Sequence, residues 1–64
     1  METREIKAAL LKGQQFSNDA ADWFTVVDPS KNRFFICYNG IDYRSYKNIN
    51  SVSQRVAQLL NRGR

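Results

Sequence analysis

The sequence predicts a single small α+β domain of order α-β-β-β-α, a three-stranded antiparallel meander with two helices packed on one face. Three observations carry this. Two segments repeat apolar residues at helical spacing, one near each end of the chain. The middle is dense in β-formers. An Asn39-Gly40 pair joins two of those β-rich runs, and both residues accept the positive φ of a type I′ hairpin turn.

Thr3 is placed to cap the first helix, over about residues 4–12, with Ile6, Ala9 and Leu10 at i, i+3 and i+4. Gly13 stands where a left-handed residue ends a helix. Residues 14–21 are turn-rich, and Phe16 is expected to anchor them to the core. Asp19 and Asp22, close together here, suit helix capping better than metal binding, because no third ligand accompanies them.

The first strand reads Trp23-Phe24-Thr25-Val26-Val27. The turn after it is built on Asp28, Pro29 and Asn32, where Pro29 presets φ and Asn32 tolerates positive φ. The second strand is Arg33 to Tyr38 and the third Ile41 to Tyr46. The last helix starts near Asn48, carries the stripe Ile49, Val52, Val56, Leu59 and Leu60, and ends at Gly63.

A two-residue Asn-Gly loop sets Tyr38 opposite Ile41, Ile36 opposite Tyr43 and Phe34 opposite Ser45. Those six share the face expected to meet the helices. Arg33, Phe35, Cys37, Asp42, Arg44 and Tyr46 then share the helix-free face. The first strand adds either Trp23, Thr25 and Val27 or Phe24 and Val26 to that free face, depending on the parity of the Asp28–Asn32 loop, which the sequence leaves open.

The chain has 64 residues, ten Lys plus Arg against six Asp plus Glu, no histidine and one cysteine. One cysteine makes no internal disulfide, and without histidine it builds no closed zinc site and no Cys-His nucleophile pair. The three glycines lie far apart, so no phosphate loop is present. No cofactor, no metal and no enzymatic activity are expected. No apolar run is long enough to span a membrane and no signal peptide opens the chain, so the expected location is the cytoplasm. A chain this short has thin stability, which makes a homodimer a natural expectation.

Charge is uneven. Residues 1–32 hold four cations and five acids, whereas residues 33–64 hold six cations and only Asp42. That asymmetry suggests a polyanionic partner. Guanidinium groups neutralise phosphates and aromatic rings stack on bases. Arg33, Phe35, Arg44 and Tyr46 are therefore the candidate nucleic-acid-binding residues, extended by Lys47 and Arg55, whereas Arg62 reads better as a solvated helix-end cation favoured by the helix dipole. The same residue types are enriched at protein interfaces. A protein-binding regulator or inhibitor, encoded for instance by a mobile element, or a homodimer through the same face, is the alternative.

The element order resembles that of double-stranded RNA-binding domains, whose last helix opens with a lysine-rich run. The matching stretch here is Asn48-Ile49-Asn50-Ser51-Val52-Ser53, with Lys47 before it. Trp23 to Asn61 is also similar in topology to the three-strands-plus-helix DNA-binding domains of certain plant transcription factors and of tyrosine-recombinase N-termini. That likeness implies entry of the free sheet face, with Arg33, Phe35, Arg44 and Tyr46, into a major groove.

Overall fold

The computed structural model describes residues 2–18 and 22–62. The elements run α1 (Thr3–Leu11), β1 (Trp23–Asp28), a short 3-10 turn (Pro29–Lys31), β2 (Arg33–Tyr38), β3 (Asp42–Ser45) and α2 (Ile49–Arg62). The strands form one antiparallel sheet in the order β1-β2-β3. The α-β-β-β-α meander is as the sequence predicts. Two expected features, capping by Asp19 and helix termination at Gly63, lie outside the described residues.

Glu2, not Thr3, caps α1, and its N–H donates to Glu5 Oε1 at 3.1 Å, which closes the first turn. At the other end Gly13 has φ +92°. Its N–H donates to Leu10 O and the Gln14 N–H to Ala9 O, each at 3.0 Å, so the last carbonyls are satisfied as the chain reverses. Asn48 caps α2 by accepting from the Ser51 N–H at 2.9 Å.

After Gly13, residues 15–17 run along the outer edge of β1. Thr25 N–H donates to Phe16 O at 2.8 Å. The Gln15 carboxamide donates to Val27 O at 2.9 Å and accepts from Val27 N–H at 3.1 Å and from the Thr25 hydroxyl at 2.7 Å. That edge of the sheet is thus closed.

The parity of the first hairpin is settled by Asp28 pairing with Arg33. Trp23, Thr25 and Val27 share a face with Phe34, Ile36 and Tyr38, and this face meets the helices. Ile6, Leu10, Ile36, Val52 and Val56 are fully buried between sheet and helices. Phe16 is buried with them, as expected. Phe24 and Val26 point to the helix-free side, in rows with Cys37 and Phe35 respectively.

The second hairpin departs from expectation. Asn39 and Gly40 do form the turn, at φ +56° and +76°, and Ile41 N–H donates to Tyr38 O at 3.2 Å. However, Tyr38 pairs with Asp42, Ile36 with Arg44 and Phe35 with Ser45. Ile41 is one extra residue in the loop, so β3 is turned over relative to the expected register. The slip places Tyr46 on the helix side, where its ring packs against the core and its N–H donates to Phe34 O at 2.7 Å. It costs little elsewhere, because β3 is an edge strand whose four residues are all exposed. Asp42 and Arg44 reach water from the helix side without burying charge.

Candidate functional site

The six residues singled out in the sequence fall into two groups. Arg33 and Phe35 stay on the helix-free face. Arg44 and Tyr46, expected beside them, lie on the opposite side, because each residue of β3 exchanges faces when the register moves by one. Arg55 joins Arg44 and Tyr46. Lys47 sits exposed in the bend between β3 and α2.

Tyr38, Asp42, Arg44, Tyr46 and Arg55 line an open cleft of about 350 Å³ at the β3 edge. Inside it the Tyr38 and Tyr46 hydroxyls are 3.2 Å apart. Arg55 Nε donates to the Tyr38 hydroxyl at 3.3 Å, and another nitrogen of the same guanidinium donates to Gln58 Oε1 at 3.0 Å. Arg44 Nε reaches Asp42 Oδ2 at 3.4 Å, with both side chains more than half exposed. Burial, then hydrogen bonding to Tyr38, pushes the Tyr46 phenol up to about 12. The bond to Tyr38 raises Arg55 in turn. Tyr46 therefore holds its proton at neutral pH and Arg55 holds its charge.

The tyrosine rings pack against the core, so Tyr38 positions Arg55 and Tyr46 bonds to Tyr38, and neither offers a free ring on which a base stacks. What the cleft presents outward is two guanidinium groups, that of Arg44 shared with the Asp42 carboxylate, with Lys47 next along the chain. Arg62 lies two turns beyond Arg55 on the same face of α2. This arrangement suits an anion with several oxygens, such as a phosphodiester. Sequence reasoning missed Tyr38 and Asp42 as members of this cleft. Tyr38 meets Arg55 across 17 residues of chain, a separation that no local pattern reveals.

On the other side of the sheet, two cross-strand rows lie free of helices: Phe24, Cys37 and Tyr43, then Val26, Phe35 and Ser45. Cys37 is fully buried between its two aromatic row neighbours, a structural position as the sequence suggests. Interaction with its thiol raises the Tyr43 phenol above its ordinary value. Val26, Arg33, Phe35 and Tyr43 line a shallow concavity of about 520 Å³. Tyr43 is 57% exposed. The expected mixture of two arginines and two aromatics on this face is thus replaced by an apolar surface with Arg33 at its rim.

Among the described residues, no three His, Cys, Asp or Glu side chains gather as a metal site, and no helix is long and apolar enough to cross a membrane. No family model, curated protein or solved structure matches the chain.

Proposed function

We propose that this protein binds nucleic acid by gripping backbone phosphates along the basic edge formed by β3, the following bend and α2. The observation that carries the reading is the meeting of Arg44 and Arg55 in one cleft. Residues 42–62 hold Arg44, Lys47, Arg55 and Arg62 against the single carboxylate of Asp42. Tyr38 holds the Arg55 guanidinium in place, so less side-chain freedom is lost on contact. Recognition of this kind is by charge and tolerates any sequence.

Fluorescence anisotropy with labelled duplex and single-stranded oligonucleotides tests it. Three phosphate contacts by Arg44, Lys47 and Arg55 predict that log affinity for duplex falls against log salt with a slope of roughly −2.7. Arg55→Ala and Lys47→Ala each lower that slope by about one. Absence of binding to either form at about 50 mM salt overturns the proposal, since phosphate contacts are strongest there.

The apolar sheet face favours a second reading, a regulator or inhibitor that captures a protein. Among the described residues Arg33 is the one charged group lining its concavity, so the complementary partner surface is apolar and edged by a carboxylate. Under this reading Phe35→Ala abolishes capture of such a partner, added salt matters little, and nucleic-acid binding is unchanged. A partner cross-linked through any other face counts against it.

A further inference from the structure

The two edges of the sheet are treated differently. The outer edge of β1 is closed by Gln15 and Phe16. Among the described residues the outer edge of β3 carries no such cover, and all four of its residues are exposed. An uncovered edge offers N–H and C=O groups to another strand.

Which groups are offered follows from the hydrogen bonding. Tyr46 N–H donates to Phe34 O, so 34 and 46 form a bonded pair of the β2–β3 ladder. With period two, the backbone of Asp42 and Arg44 turns to β2, and that of Tyr43 and Ser45 turns outward. The same alternation holds across the sheet, where Thr25 and Val27 of β1 turn outward to Phe16 and Gln15.

We infer that the occupant of the β3 edge is a second copy of this chain, joined antiparallel about a two-fold axis through Tyr43, so that two three-stranded sheets become one of six strands. Tyr43 lies at the middle of β3 with its N–H and C=O pointing outward, so centring there lets the two Tyr43 residues exchange main-chain bonds. Centring there also sets Asp42 opposite Arg44 of the second copy, and Arg44 opposite Asp42 of the second copy. These are non-bonded positions, where Cα atoms approach to about 4.5 Å and side chains meet most closely. The next register that keeps the faces matched is centred on Arg44 and puts like charges opposite one another. Within one chain Arg44 and Asp42 meet only at 3.4 Å and both stay largely exposed, so each is free to turn to the second copy. The join is isologous, as a two-fold demands.

The test is the mass of the purified protein by sedimentation equilibrium, from about micromolar to millimolar concentration. The native chain is expected to rise to twice 7.4 kDa. Asp42→Arg and Arg44→Asp are each expected to stay monomeric, and the double exchange to dimerise again. Circular dichroism confirms that each variant is folded. Amide exchange adds a readout at the edge itself: the Tyr43 amide becomes protected as the dimer forms. A native chain that is monomeric throughout overturns the inference. So does a dimer that survives both single reversals, or one in which the Tyr43 amide exchanges freely.

Discussion

The Gln15 carboxamide meets both main-chain groups of Val27 and the Thr25 hydroxyl, and so replaces the peptide group that a fourth strand would supply. Gln15→Ala removes three hydrogen bonds, and denaturant unfolding is expected to show a loss of roughly 1–3 kcal/mol. Gln15→Glu is expected to be at least as costly, because a carboxylate oxygen faces the Val27 carbonyl where an amide N–H donated. Tyr46 makes a second residue-scale prediction. Its phenol is raised from an ordinary 10.0 to about 12, so the native state holds that proton more tightly than the unfolded chain. The stability this contributes is present in full below pH 10 and is lost as pH rises towards about 12. Absorbance of tyrosinate during alkaline titration should show one tyrosine ionising together with unfolding. Asp28 behaves oppositely. Ser30 donates to its carboxylate at 2.6 Å and holds its pKa below the ordinary value, so that contribution fades as pH falls through the folded pKa.

At the scale of elements, the segment from Asn39 to Ser45 shows what a local signal does and does not determine. The positive-φ turn is present as the Asn-Gly pair predicts. The turn alone leaves open whether Ile41 pairs with Tyr38 or stands outside the ladder. That choice was made by Tyr46, which packs against the core only in the register that leaves Ile41 over. Ile41 is 85% exposed and pairs with nothing in β2. Its deletion is expected to leave Tyr38 opposite Asp42 across a two-residue turn, the tightest hairpin connection. The melting temperature should not fall, and cross-strand contacts by NMR should retain the Ile36–Arg44 pair. If β3 turned over instead, the register would depend on the loop and not on Tyr46. The helices were more legible, because their burial follows a 3.6-residue period within one continuous segment. Val52 and Val56 are both fully buried as that period requires.

For the whole molecule, two layers leave one sheet face without cover. Its extents of 29 × 26 × 17 Å describe a slab one sheet and one helix layer thick. The outer residues of the bare side, Val26, Tyr43 and Ser45, add little to the stability of the isolated chain, because water still reaches them. Val26, at 38% exposure, is a direct check. Val26→Thr is expected to change the unfolding free energy by no more than about 0.5 kcal/mol. A larger loss would mean that this face is already covered in solution. The basic half of the chain is a whole-molecule feature too. Among the described residues its cations divide between Arg33 on the bare face and Arg44, Lys47, Arg55 and Arg62 along the opposite edge. The salt dependence predicted for nucleic-acid binding belongs to that edge alone.

By itself the sequence determined the element order, both helix stripes, the positive-φ turn at Asn39-Gly40 and the inward set of β2. Each rests on interactions between residues a few positions apart, and such patterns are written along the chain. The tertiary structure decided the face of β3, and with it the membership of the candidate site. It separated Arg44 and Tyr46 from Arg33 and Phe35 and joined them to Tyr38 and Arg55 instead. The physical reason is the two-residue period of a strand: a single unpaired residue reverses every side chain after it. Whether that residue pairs depends on the core packing of Tyr46, a contact no local pattern contains.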